Sequence, residues 1–244
     1  MDEYFQIQTI SKTLRPQTTI WLAMHQDYCE ESIIDEINEG HFPESEVKAG
    51  ELAIKHLLAG NRGHFGCTEH PQLVVACAGF PHTVMQQVRT HRHISVDCQS
   101  GRYTGKRILD VVNDKRSVEE VFYLRPVGDY TDRTGKKYTY SENQRIRDIE
   151  YCRFQAQLYA QKISQGFSEE HARDVHTPYC IRQHFIMSGN MRTVMHLLDL
   201  RWKKDAQLEC QQWAELLFSC FNEWAPQVAG WYLQNRAQKA RLSP

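Results

Sequence analysis

Residues 89–103 read Arg89-Thr90-His91-Arg92-His93-Ile94-Ser95-Val96-Asp97-Cys98-Gln99-Ser100-Gly101-Arg102-Tyr103, the densest polar run of the chain. It carries three arginines and two histidines, yet the segment before it holds apolar Val84, Met85 and Val88. A cationic run rooted in a partly buried helix is costly unless an anion meets it. Arginine forks match phosphate oxygens in pairs, and Ser100 with the backbone near Gly101 adds donors. Composition alone leaves a solvated basic face as an equal reading.

Working outward, residues 72–78 (QLVVACA) form a short apolar run that suits a strand, and residues 82–92 have a helical pattern opening after Pro81. Further upstream, residues 4–10 and 18–25 are rich in β-branched or aromatic side chains and predict strands. Between those two and the apolar run, Val47, Leu52, Ile54, Leu57 and Leu58 mark a helix that Gly60 stops. Downstream, residues 121–124 (VFYL) predict another strand, and residues 128–140 have the turn chemistry of an exposed hairpin or loop. Helices follow at about 143–165, 168–175, 190–202 and 205–222, with a short one after Pro226. Strands first and helices later predict an α+β fold, one domain over residues 1–244, with no internal repeat.

The bulk composition excludes several classes. The formal net charge of -1 gives the whole chain no bias toward nucleic acid or anionic lipid, and no stretch approaches a membrane span. The first residues lack the pattern of a signal peptide, and the eight cysteines show no C-x-x-C pair, so a reducing cytoplasmic setting is expected.

The order of residues in the central run is more telling than its charge. Thr90-His91-Arg92, seven residues, then Ser100-Gly101-Arg102-Tyr103 resembles the signature of flavin-dependent thymidylate synthases: R-H-R, seven residues, serine, closed as S-x-R-Y. Upstream, Gly63-His64 and Glu69-His70 stand where that family has G-H and E-H. Downstream, Ala172-Arg173 is similar to its A-R pair. Asn190-Met191-Arg192, then Leu198-Asp199-Leu200-Arg201 and Ala206-Gln207-Leu208-Glu209, are similar to its N-x-R…L-x-L-R…A-Q-x-E block. These landmarks span most of the chain.

The resemblance implies a mainly antiparallel sheet packed against several helices, a homotetramer, and FAD as cofactor. It implies dUMP as substrate, methylated to dTMP with methylene-tetrahydrofolate as carbon donor and NADPH as reductant. Carried over residue by residue, His64, Thr90, His91, Arg92, Asn190, Arg192 and His196 contact FAD. Gln87, Ser100, Gly101, Arg102 and Arg173 bind dUMP, and Arg201 both binds it and favours ionisation of its ring. No metal, nucleic acid or membrane partner is implied. Arg192 and His196, four residues apart, share a helix face.

The departures from the family pattern are Thr90 for its first arginine, His196 for a common asparagine, Asp97 for asparagine, Cys98 for glutamate and Gly66 for a small hydroxyl residue. Bland readings stand beside the tempting ones. Cys98 is a candidate thiolate nucleophile, but its position is not a catalytic cysteine in the family. Cys67, His64 and His70 have loosely metal-like spacing without a second pair to complete a tetrahedral set. Arg173 pairs with Glu169 or Glu170 in a purely structural reading. Trp202, Trp213, Trp224 and Trp231 read as core or interface. Two other functions share some of these features: a flavin-dependent relative that modifies another pyrimidine nucleotide or adds a hydroxymethyl group, and a nucleic-acid-binding module built on residues 89–107.

Overall fold

The computed structural model of the chain describes residues 1–239. Its first half runs β1 (Gln6–Lys12), α1 (Pro16–Gln26), α2 (Ile33–Glu39), α3 (Glu46–Ala53), β2 (Gln72–Pro81), α4 (His82–Val88) and β3 (Ile94–Cys98). There follow α5 (Lys106–Val112), α6 (Val118–Val121), β4 (Gly128–Thr131), β5 (Lys137–Tyr140), α7 (Glu142–Ser164) and α8 (Glu169–His176). The chain closes with β6 (Arg182–Asn190), α9 (Met191–Arg201), α10 (Leu208–Trp224) and α11 (Pro226–Asn235). Four strands form one sheet in the order β1-β2-β6-β3, and β4 and β5 form a separate antiparallel hairpin. The expected α+β class with an antiparallel sheet and helices is the class observed.

The chain divides into two compact units, each with its own core. The first comprises residues 1–6, 77–87 and 97–185. Its buried cluster includes Ile108 and Val111 of α5, Cys152, Ala156 and Tyr159 of α7, Ala172 of α8, and Ile181. The spacing of the three α7 residues sets one stripe of that helix inward. Ser141 starts α7 with a capping box closed by Gln144, so the orphan donors of its first turn are satisfied.

The second unit comprises residues 7–76, 88–96 and 186 onward. Its core is built largely from α9, α10 and α11: Val194, Leu197, Leu198, Trp213, Leu217, Phe221 and Tyr232 are all fully buried. Trp213 and Trp224 are buried and Trp202 packs its ring against Phe218, so three of the four C-terminal tryptophans serve the core.

Two expected strands are corrected. Residues 18–25 lie inside helix α1, whose first position is Pro16. Proline presets the helical φ and lacks only an N–H that a first turn leaves unpaired. Ile20 and Met24, one turn apart, are both buried, so helical spacing outweighs the β-branched composition. Residues 121–124 are also not a strand. A Ser117–Glu120 capping box starts α6, and only Phe122 makes an isolated bridge, to Ile181. The hairpin over 128–140 is as expected, with Asp132 Oδ1 accepting from the backbone of Thr134 and Lys136 at its turn.

Candidate functional site

Helix α9 begins where β6 ends, and Asn190 is its cap: the side-chain oxygen accepts from Thr193 N at 2.8 Å. The first turn of a helix presents a partial positive charge and outward N–H groups. Asn190, Arg192, Thr193 and His196 from this start line a cavity of about 490 Å³ with Glu69, Thr90, His91, Arg92 and His93. All nine lie in the second unit. Arg192 and His196 share the cavity face, as their spacing predicts.

The lining is cationic through its arginines. Arg92 and Arg192 stand with three histidines and one carboxylate, Glu69, which pairs with Arg192. His93 holds a left-handed backbone conformation with φ 61, which costs energy for a residue with a side chain and concentrates at functional sites.

Arg201, at the end of α9, reaches back to the same segment. Its Nε donates to His91 Nε2 at 2.9 Å, and Nη2 lies 3.4 Å from Thr90 Oγ1. That bond requires an unprotonated Nε2 on His91. Burial, with Arg201 and His196 adding repulsion, lowers the His91 pKa to about 4, so the ring is neutral near pH 7. His196 meets the His91 ring edge-on at 5.1 Å, and burial lowers its pKa too. The result is a fixed guanidinium tied to a neutral imidazole at the cavity wall.

A second constellation lies in the first unit. Ser100 Oγ accepts from Arg102 N at 3.3 Å, opening a tight turn after β3. Gly101 lies under the Arg173 side chain: a Cβ there would sit 2.4 Å from Arg173 Cδ, so no larger residue fits without moving the arginine. Gly105 is similar, with Tyr159 Oη 2.0 Å from where its Cβ would stand. Arg102 pairs with Glu170 at 2.6 Å, and Arg173 pairs with Asp174 at 2.6 Å. In the purely structural reading Arg173 pairs with Glu169 or Glu170; the partner found is its sequence neighbour Asp174. Gln87 is half-buried on α4.

Of the residues the sequence singled out, the structure gathers Thr90, His91, Arg92, Asn190, Arg192, His196 and Arg201 in one place. It gathers Ser100, Gly101, Arg102 and Arg173 in another. His64 is exposed, on the loop between α3 and β2, and does not line the cavity. Glu69, His93 and Thr193 were not assigned roles from sequence, although Glu69 belongs to one of the quoted landmarks. Glu170 was seen only as a partner for Arg173. Cys98 ends β3 and is half-buried. Among the described residues, the potential metal donors that converge are His25, Cys29 and Glu36, not Cys67, His64 and His70.

A cationic pocket at a helix start, with an arginine tied beside it, offers the kind of donors that suit a phosphorylated ligand. A family model described as thymidylate synthase complementing protein matches residues 8–227. The chain is 29% identical over 251 residues to a flavin-dependent thymidylate synthase of Haloarcula marismortui, covering 98% of this chain and 99% of that protein. It is 27% identical over 255 residues to the corresponding protein of Halobacterium salinarum, with coverage of 98% and 99%. Among solved structures, thymidylate synthase X from Helicobacter pylori with FAD and dUMP aligns at TM-score 0.68 and 17% identity, over 97% of this chain and 100% of that one. The UMP/dUMP methylase PolB from Streptomyces cacaoi bound with 5-Br dUMP aligns at TM-score 0.73 and 18% identity, over 98% and 97%. The chain belongs to the thymidylate synthase complementing protein family, the enzyme family of flavin-dependent thymidylate synthases.

Among the described residues, no helix is long and apolar enough to cross a membrane.

Proposed function

We propose that this enzyme methylates dUMP at the uracil 5-position to give dTMP, with FAD as cofactor, methylene-tetrahydrofolate as carbon donor and NADPH as reductant. Residues 1–244 act as one functional domain in a homotetramer. The observation that carries the reading is the cavity: motif residues far apart in sequence, Thr90-His91-Arg92 and Asn190-Arg192-His196, line one cationic wall. The FAD and dUMP in the Helicobacter pylori structure and the flavin-dependent name of the haloarchaeal relatives support it.

The residues present fit FAD. A diphosphate needs cations and backbone donors, and the start of α9 with Arg92 and Arg192 offers both. Arg92, Asn190, Arg192 and His196 would hold the cofactor, with Thr90 and His91 alongside and His64 supplied from the α3–β2 loop. When bound, FAD supplies hydride chemistry that no side chain here provides.

The protein's own part is binding, orientation and charge. Arg102 and Arg173 would take the dUMP phosphate in exchange for Glu170 and Asp174, with Ser100, the Gly101 backbone and Gln87 completing the nucleotide contacts. Gly101 keeps the Arg173 side chain close to the turn. Arg201 would stand at the uracil ring. Its Nε is committed to neutral His91, which fixes the guanidinium plane before substrate arrives. A donor that needs no reorganisation stabilises negative charge as it develops on the ring. No cysteine acts as nucleophile, Cys98 included. None of the eight cysteines is in a disulfide, which suits a reducing compartment such as the cytoplasm.

Absorbance titration of the purified chain with FAD tests the cofactor assignment. A perturbed flavin band saturating at one FAD per chain, weakened at least tenfold by Arg192→Ala, is expected. Undetectable FAD binding by the native chain would overturn it.

A further inference from the structure

Three donors of mixed chemistry meet at the tip formed by α1 and α2, with His41 beside one of them, all within the second unit. His25 lies in the last turn of α1, Cys29 follows it, Glu36 lies on α2, and His41 follows Gly40. His25 Nε2 is 3.7 Å from Glu36 Oε2, and His41 Nδ1 is 3.5 Å from the same oxygen. The Cys29 thiol donates to Glu36 Oε1 at 3.6 Å. The donor atoms of His25, Cys29 and Glu36 all lie within 4.8 Å of one another. Bonds of about 2.0–2.3 Å place the ligands of a tetrahedral zinc about 3.3–3.8 Å apart. The three separations to the Glu36 carboxylate, two to Oε2 and one to Oε1, fall in that range.

The local backbone builds this geometry. Cys29 N donates to His25 O at 3.0 Å, so the chain still turns helically and keeps the two side chains on one side. Trp21 stacks on the His25 ring at 4.5 Å and restricts its orientation. Ser32 caps α2, and Gly40, with φ 78, reverses the chain so that His41 N returns to Glu36 O at 2.8 Å. That reversal brings His41 over the carboxylate. His41 Nδ1 also lies 3.4 Å from Glu39 Oε2, a contact it would give up on binding a metal.

The second observation is what α2 lacks. It has seven residues and none is buried; Ile34 and Ile37 are 65% and 44% exposed. A helix this short does not stand alone in water, and most helices are held by an apolar face. Here the polar tip around Glu36 stands where such a face would be.

We propose that His25, Cys29, Glu36 and His41 form a structural site for a divalent transition metal of the zinc class, which clamps α2 onto the end of α1. Two imidazoles, a thiolate and a carboxylate make a closed donor set for such an ion, too soft for magnesium or calcium. On binding, the Cys29 thiol gives its proton to solvent and the metal takes its place between sulfur and carboxylate. The site supplies folding energy and leaves the flavin and nucleotide residues untouched.

The test uses the full chain, stripped with a chelator under reducing conditions and then titrated with Zn²⁺ and, separately, Co²⁺. The expected result is one tightly held metal per chain, with the intense visible bands of tetrahedral Co²⁺ and a thiolate-to-metal charge-transfer band. Cys29→Ser abolishes the charge-transfer band and lowers affinity at least tenfold. Glu36→Gln, which keeps the shape of the side chain, lowers it similarly, whereas Cys67→Ser changes nothing. Hydrogen exchange over residues 25–41 slows on adding Zn²⁺. The native chain carries the first arm without any substitution, so a variant that fails to fold does not blunt the test. Absence of stoichiometric metal in the native chain overturns the proposal. So does octahedral Co²⁺ without a thiolate band, or loss of binding in Cys67→Ser in place of Cys29→Ser.

Discussion

Arg201→Lys keeps a positive charge but removes the planar fork that His91 holds at 2.9 Å. A lysine ammonium on a flexible stem has no fixed direction toward a uracil oxygen. Losing a donor aimed at developing charge costs about 10²–10³ in rate, and turnover at saturating dUMP is expected to fall by that order. Arg102→Lys alters the contact proposed for the dUMP phosphate, whose charge is the same in ground and transition states, so a raised dUMP requirement with turnover nearly unchanged is expected. Steady-state kinetics on both variants, with flavin content matched, checks this; normal turnover in Arg201→Lys with loss in Arg102→Lys reverses the two roles. At this scale much of the site was legible in the sequence. Its polar residues cluster in short runs whose order is distinctive, and a cluster of arginines needs an anion. Glu69 and His93 were harder to see, because one carboxylate or one histidine has no periodicity to betray it. Only the left-handed backbone of His93 and the Arg192–Glu69 pair reveal them.

Between elements, the contact of residues 88–96 with α9 rests on Arg201, His91 and His196. It predicts a pH dependence. A histidine kept neutral by folding binds its proton more weakly in the folded state than in the unfolded chain. Its contribution to stability is therefore complete above the unfolded value of 6.5 and is lost as pH falls toward about 4. His196, also lowered by burial, acts in the same direction. Denaturant unfolding between pH 7 and pH 4 is expected to show falling stability in the native chain and a shallower fall in His91→Gln; identical slopes would remove His91 from this role. The elements themselves were unevenly legible. The long helices α7, α9 and α10 were readable from apolar stripes of period 3.6. Residues 18–25 misled, because Thr and Ile suggest a strand while the deciding features are Pro16 and the Ile20–Met24 spacing. Strand β6 was missed although Phe185 and Met187 alternate inward, since it opens with buried Arg182 and Gln183 and turns Ile186 outward. Arg182 is affordable there because Asp2 and the Gly79 carbonyl accept from it at 2.8–2.9 Å. Helix α2 escaped notice for a different reason: it buries nothing, so no stripe exists to be read.

For the whole molecule, the homotetramer belongs to the proposed function and is open to direct measurement. Light scattering of the active protein is expected to give four chains per particle; a fully active monomer would contradict the homotetramer. The proposed reaction rests on the cavity that Thr90, His91, Arg92, Asn190, Arg192 and His196 line together. The most direct test is anaerobic incubation of the purified chain with dithionite-reduced FAD, methylene-tetrahydrofolate and isotopically labelled dUMP, followed by mass analysis of the nucleotide. The account predicts dTMP carrying one added methyl group, with tetrahydrofolate as co-product. Recovery of unchanged dUMP, or of a hydroxymethylated nucleotide, would contradict it.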